Sequence, residues 1–506
     1  MLLPPSLEDL IPEGHLVRVV NRVVDKIDLS ALLRRYIGGG TSAYHPRMML
    51  KVLVYAYVEQ VYASRQIAKA LRENVNFMWL SGMNQPDFRT INGFRGERMK
   101  GVIEEVFASA VEMLVDEGYI ELENCFLDGT KIEANANKHR VVWAKRNRKY
   151  QERLREQVRD LLEEIERVNE AENEKYGDQE LPELGEGKTI DSERMQKKID
   201  ELNERLRQKP EDKDLKRAIK KMENNYLPRQ RKYEEQVRKL AGRNSYAMSD
   251  EDATSMRMKE DRGAEKPWPK PAYNLQVGTE KQFVLGFSLH QRAGDTSCMI
   301  PHLDGVKQHL GRLPQNIIAD AGYGSEENYA YLEQHRLGNY VKYNTFHREQ
   351  IQHRKPELIR KKRFRSESFP YDDHRDEFIC PADKRLTYRN TRSYKSENGY
   401  QSERRIYECD HCAACPLKPE CTQAKGNRRL YMSFRLRQFR AQARSNLLSE
   451  EGQALRCKRA TEVETVFGQI KHNQRFRRFM LRGLEKTTIE CGLLYLAHNI
   501  KKLAAQ

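Results

Sequence analysis

The stretch NCFLDGT, residues 124–130, is a short apolar run closed by Asp-Gly, and it reads as a β-strand ending on an acid, Asp128. Downstream, Tyr273, Leu275 and Val277 alternate with polar residues. A turn is expected at Gly278–Lys281, and Phe283, Leu285, Phe287 and Leu289 alternate again, so the pair predicts a β-hairpin. A helix is expected from about Thr296 to His309, then a strand over Asn316–Asp320 (NIIAD) and a turn at Gly322-Tyr323-Gly324. Ser325 is placed to cap the next helix, with Glu326 and Glu327 in its first turn and its end near Arg336. A further strand is expected over Asn339–Tyr343. A helix around Glu464 follows near the C-terminal end.

The chain has 506 residues, beyond the roughly 250–300 at which one hydrophobic core stops growing, so several domains or large insertions are expected. Residues 1–118 read as helices, one opened by Pro46 and another by Ser64. Arg65, Lys69, Arg72, Arg95 and Arg98 suit either a helix-turn-helix DNA binder or a helical packing domain with solvated basic faces. Between 143 and 245 the composition turns to Glu, Lys, Arg and Gln. The blocks 143–174 and 191–241, separated by a Gly/Pro-bearing stretch at Tyr176–Lys188, predict an antiparallel coiled-coil hairpin. Leu154, Val158, Leu161, Leu162, Ile165 and Val168 would form its seam.

Ninety Lys and Arg against 74 Asp and Glu give a net charge of +16, which points to a polyanion partner, nucleic acid first. No apolar run approaches the ~20 residues that span a bilayer, and no secretory leader is evident, so a soluble cytoplasmic protein is expected.

Cleaving and rejoining a phosphodiester requires the attacking and leaving oxygens to be stabilised together, and two divalent ions roughly 3.5–4 Å apart do both. Hard ions such as Mg²⁺ or Mn²⁺ need several carboxylates from different elements. Asp128 and Asp320 each end a strand, and neighbouring parallel strands would set them side by side. In RATEVETVFGQIK (459–471), Val463, Phe467 and Ile470 are spaced to face a core, which leaves Glu464, Gly468 and Lys471 as the adjoining stripe.

Cys409, Cys412, Cys415 and Cys421 are spaced C-x2-C-x2-C-x5-C, with Cys380 about thirty residues earlier. Four thiolates would hold a structural Zn²⁺, although an iron–sulfur cluster uses the same ligands. Five candidates for four places leave the set open. Lys131, His139 and Arg140 follow the first acid, while Lys471, His472, Arg475, Arg477, Arg478 and Arg482 follow the third, placed to neutralise phosphates. Tyr323 is either a platform for a flipped base or a turn residue packed on the sheet.

The segments FLDGTKIEANANKH (126–139), IADAGYGSEENY (318–329) and VETVFGQIKHNQRFRRFMLRG (463–483) together resemble the three signature blocks of DDE transposases of bacterial insertion sequences. More narrowly, they resemble the subgroup with an N-terminal helical domain and a cysteine-rich segment before the last block. The resemblance implies an α/β fold with an RNase H-like mixed sheet core. The implied parts are a helical, DNA-binding domain (1–118), core segments at 119–142, 246–345 and 436–506, the coiled-coil insertion (143–245) and a zinc-binding insertion (346–435). It implies Asp128, Asp320 and Glu464 as catalytic residues holding two Mg²⁺ or Mn²⁺ ions, with Lys471 at the position of the lysine that follows the acid. Where the family pattern has an arginine four residues before the glutamate this chain has Ala460, with Arg459 beside it, and Glu462 is a rival third acid. Cys380, Cys412, Cys415 and Cys421 recur in the family, leaving Cys409 as the spare. Terminal inverted repeats and target DNA are the implied partners of a homodimer or larger assembly. A nuclease or integrase with the same core, and a catalytically silent DNA-binding derivative, are the alternatives.

Overall fold

A computed structural model of the chain describes residues 6–36, 44–176, 191–258, 261, 268–351 and 363–506. Two compact units divide it: residues 1–132 with 273–506, and residues 133–272. In the first unit the first helix begins where the sequence supplies a cap. His15 accepts the Val17 N–H ahead of α1 (Leu16–Lys26), whose Val17, Val20, Val23 and Val24 are buried. Pro46 occupies the first turn of α2 (Pro46–Val58), and α3 (Ser64–Glu73) starts at Ser64 as expected. After α4 (Ile103–Asp116) the chain enters β1 (Asn124–Glu133).

The second unit is a helical bundle closed at its base by β2 (Val141–Trp143), which pairs antiparallel with β3 (Ser245–Ala247). The first charged block is one helix, α5 (Ala144–Tyr176). The second is broken, which corrects the two-helix hairpin. It forms α6 (Ser192–Gln208), then α7 (Lys213–Lys221), a π turn at Met222–Tyr226, and α8 (Leu227–Leu240). Pro210 stands in the break, and the Asp212 side chain accepts from the Asp214 and Leu215 N–H groups to restart the helix. Leu154, Val158, Leu161 and Leu162 therefore pack against two further faces, one bearing Met195, Ile199 and Leu202 and the other Leu215, Ile219 and Met222. The Val168 side chain and residues 177–190 lie outside the described residues. β4 (Thr254–Met256) pairs with Lys270–Ala272, the first residues of β5 (Lys270–Glu280).

β5 and β6 (Phe283–His290) form the expected hairpin, but its turn is Lys281–Gln282, both at positive φ, which suits a tight two-residue connection. Gly278 lies within the ladder instead, because a Cβ there would meet the Cys125 sulfur at 2.7 Å. Asn274 and Gln276, whose alternation suggests a solvated face, are completely buried. The sheet of this unit runs β5-β1-β7-β8 with β6 also on β5, where β7 is Asn316–Ala319 and β8 is Gly338–Val341. β1, β7 and β8 are parallel, so the sheet is mixed and the fold α/β as expected. Both carboxylate oxygens of the buried Glu280 accept backbone N–H groups from four consecutive residues, Glu121 to Asn124, at 2.7–3.0 Å. Helices α9 (Met299–Leu310) and α10 (Glu326–Gln334) flank β7, and the Ser325 side chain caps the latter.

The cysteine-rich segment builds its own sheet, in the order β13-β12-β11-β10-β9. The strands are β9 (Tyr371–Asp372), β10 (Glu377–Ile379), β11 (Arg385–Lys395), β12 (Gln401–Cys409) and β13 (Arg429–Met432), over a core of Phe369, Phe378, Leu386, Tyr407 and Leu430. After α11 (Phe434–Leu448), α12 (Glu450–Arg459) runs on through a π turn at Ala460–Glu464, a short helix, and a second π turn at Gln469–Asn473. The last helix, α13 (Leu484–Ala504), is buried on nearly every side from Thr487 to Ile500 and packs on α2, α4 and β6. Among the described residues no helix is long and apolar enough to cross a membrane.

Candidate active site

Register brings the first two acids together. β1 and β7 pair in parallel up to Leu127 opposite Ala319, so the next residues, Asp128 and Asp320, stand side by side where that pairing ends; Asp320 lies just past β7, but β1 runs on to Glu133, past the end expected at Asp128. Asp128 is 7% exposed; it accepts the Gly129 N–H at 2.8 Å and pairs with the Arg459 guanidinium at 3.0 Å. The Asp320 side chain accepts the Gly322 N–H at 2.8 Å and caps the 3-10 turn Ala321–Tyr323. Lys342, just past β8, is half-buried beside them. Burial, then the Arg459 and Arg456 charges, lower its pKa, and Asp320 opposes them.

A third carboxylate that sequence reasoning missed faces this pair. Asp295 precedes the helical segment at Thr296, and its Oδ1 accepts from Asn274 at 2.8 Å and Gln276 at 3.1 Å. A Cβ on Gly129 would lie 2.6 Å from that oxygen. One on Gly322 would lie 3.0 Å from Asp320 Oδ1 and 3.9 Å from Asp295 Oδ2. The bare glycines after Asp128 and Asp320 thus leave the room that Asp295 fills. The signal in the sequence is the polar pair Asn274 and Gln276 within an apolar strand, which needs a polar partner once buried.

Tyr323 is completely buried and its hydroxyl donates to Gln276 Oε1, so it is the packed turn residue and not a platform for a base. Burial, and then the negative charges of Asp295, Asp128 and Asp320, hold its pKa well above the usual phenol value.

Glu464 closes the π turn that follows Arg459, the ion-pair partner of Asp128. Val463 is buried and Phe467 packs against the cluster of Phe126, Ile318 and Tyr340, as spaced, but Glu464 is exposed. The two π turns add residues to the helical repeat and rotate the side chains beyond them. Lys471 is only 9% exposed, whereas Glu464 is exposed. Glu462 is engaged elsewhere: its Oε2 accepts the Gln282 N–H at 2.6 Å at the β5–β6 turn, and its pKa is raised chiefly by burial. That turn follows Glu280, which holds the start of β1.

Lys131 is half-buried on β1, whereas Arg475, Arg477, Arg478 and Arg482 lie, all exposed, on the segment after the second π turn. That segment is anchored from beneath. Phe476 and Phe479 are buried, and Tyr62 packs edge-on against Phe476 and donates to the Gln474 carbonyl at 2.7 Å. Glu490 of α13, completely buried, accepts from the Met480 and Leu481 N–H groups at 3.0 and 2.8 Å and from the Tyr57 hydroxyl at 3.4 Å. Burial, opposed by Arg95, pushes the Glu490 carboxyl up to about 7.

All five cysteines of the C-terminal segment, Cys380, Cys409, Cys412, Cys415 and Cys421, line one cavity together with Arg428. Backbone N–H groups of Ala382 and Arg428 point at the sulfurs of Cys380 and Cys412, each at 3.4 Å. Burial and neighbouring thiolates push the Cys409 thiol up to about 11. No four of the five are set apart. Among the described residues, no group of three or more His, Cys, Asp or Glu side chains is disposed to hold a metal ion, here or at the aspartates.

Comparison with known families gives two matches. Residues 379–504 match the Transposase DDE domain, a stretch that contains Glu464 and the cysteines but neither Asp128 nor Asp320. Residues 5–97 match the Transposase domain (DUF772). No curated protein and no solved structure matches the chain.

Proposed function

We propose that this chain, which its two family matches support as a DDE transposase of insertion-sequence type, cuts DNA at the ends of its element and joins the freed 3′-OH to target DNA. The observation that carries the reading is the side-by-side placement of Asp128 and Asp320 where the parallel pairing of β1 and β7 ends. Such an edge is where open α/β sheets place their chemistry.

The donor set fits hard divalent ions: carboxylate oxygens with Gly129 and Gly322 leaving bare backbone beside them. Asp128, Asp320 and Glu464 would hold two Mg²⁺ or Mn²⁺ ions, which when bound supply charge stabilisation to both the attacking and the leaving oxygen. The chain's own part is to present these carboxylates on one rim of an RNase H-like core and to release Asp128 from Arg459. Lys131, Lys471, Arg475, Arg477, Arg478 and Arg482 would neutralise the phosphates of the element end. Four of the five clustered thiols would hold a structural Zn²⁺ that ties the β9–β13 segment together. Two ends must be cut and joined together, so a dimer or larger assembly acts on the element's inverted repeats. Nucleoid-associated action in the cytoplasm follows from that substrate.

The Arg459–Asp128 ion pair favours a second reading, a catalytically silent DNA-binding derivative. Purified full-length protein with Mg²⁺ or Mn²⁺ is expected to nick a duplex bearing its own element end, with Asp128→Ala abolishing nicking but not binding. Binding without cleavage by the unaltered protein would establish the silent reading, and cleavage that never yields joined product would make it a nuclease.

A further inference from the structure

Beyond residue 389 the hairpin β11–β12 leaves its sheet. β10 pairs only with Arg385–Thr387 and β13 only with Arg405–Glu408, so Asn390–Lys395 and Gln401–Arg404 run on as a two-stranded ribbon. Its tip is latched beside the carboxylates. Asn398 accepts from Arg292 at 2.8 Å and donates to the Ser297 carbonyl at 3.3 Å, and Glu397 pairs with Arg292 at 3.3 Å. The loop so gripped, Arg292 to Ser297, carries Asp295.

The ribbon's two faces differ in charge balance. Directly paired residues of an antiparallel ladder point to the same side. On one face Arg405, paired with Thr391, forms an ion pair with Asp376. On the other, Arg392 is the cross-strand partner of Arg404, and both are exposed. Tyr394 follows on that face, with the Arg404 guanidinium 4.4 Å above its ring. No carboxylate among the described residues pairs with Arg392 or Arg404. Two guanidinium groups placed directly opposite destabilise a ladder, so the fold carries a local cost that an anionic partner would remove.

We propose that the face bearing Arg392, Tyr394 and Arg404 grips the phosphate backbone of duplex DNA next to the Asp128–Asp320 edge. This inference rests on the proposed function, and it adds a DNA-gripping surface that neither the basic segment 475–482 nor the N-terminal helices provide. Two cations flanking an aromatic ring suit a phosphate track, and a two-stranded ribbon is narrow enough to enter the major groove.

The test is a salt series of anisotropy titrations with a short mixed-sequence duplex, comparing unaltered full-length protein with the double variant Arg392→Thr/Arg404→Thr. Each phosphate that is no longer neutralised takes about 0.9 off the slope of log affinity against log salt, so the slope is expected to fall by about 2. The melting temperature of the variant should stay equal or rise, because threonine favours strands and the like-charge pair is gone. Arg392→Lys/Arg404→Lys should keep the slope. An unchanged slope in a protein that still nicks its element end would overturn the ribbon and leave the proposed function standing. A lower melting temperature for the threonine variant would overturn the like-charge reasoning and the ribbon with it. If the unaltered protein binds no duplex at all, both fall together.

Discussion

Asp128 and Asp320 are held by a ladder, whereas Glu464 and Lys471 are held by a helix that changes its winding twice. The first pair is fixed by backbone hydrogen bonds between β1 and β7, so its spacing survives changes in side chains around it. The second pair lies in and after π turns, where one residue more or less per turn swings a side chain from solvent to core. A site assembled from both kinds of support has one half set by a strand ladder and one half set by helical winding.

The sharpest way to break this contrast is to ask which acid completes the site. Glu464→Gln is expected to lower nicking by about 10³-fold or more, as loss of a catalytic group does, with duplex binding intact. Asp295→Asn, which keeps hydrogen-bonding capacity toward Asn274 and Gln276, is expected to cost less, about 10–100-fold, as loss of an orienting partner does. Should single-turnover assays give the reverse order, the helical half of the site is not needed and Asp295 takes the third place.

A smaller effect should come from the cysteine cavity. Cys412→Ser is expected to reduce bound zinc, measured by elemental analysis, and to lower the melting temperature by several degrees while leaving residual nicking. Unchanged metal content and melting would remove zinc from the account. The smallest effect concerns the clasp beneath the basic segment. The folded Glu490 carboxyl titrates near 7, above the ordinary 4.5, so its contribution to stability is complete below 4.5 and is lost as pH rises through about 7. Glu490→Gln should therefore flatten the fall of melting temperature over that window. If the two proteins keep parallel pH profiles, Glu490 is not the titrating group.

Much of this architecture is legible in the chain alone. NIIAD is an apolar run whose strand stops at its acid, the hairpin alternates cleanly, and Ser325 caps the helix it precedes; these are local signals and the elements obey them, whereas the strand of NCFLDGT runs on past Asp128 to Glu133. The failures share a cause in distant packing. Asn274 and Gln276 look solvated until the other side of β5 is covered by Asp295 and Tyr323. The second charged block has a uniform composition, and only Pro210 with Asp212 records that it breaks. Tyr323 offers both roles on sequence, and its burial against Gln276 decides between them. The two π turns within residues 460–473 leave no mark in the apolar spacing of Val463, Phe467 and Ile470.

Glu280 gives the ladder-held half of the site its origin. Four successive amide hydrogens converge on one carboxylate at the start of β1, like threads tied to a single peg, four residues upstream of Asp128. Sliding that strand by one position would leave a buried amide with nothing to meet and turn Asp128 toward the opposite side of the sheet. The phase of the edge that carries Asp128 and Asp320 is thus set at the start of the strand, by a residue of the neighbouring one.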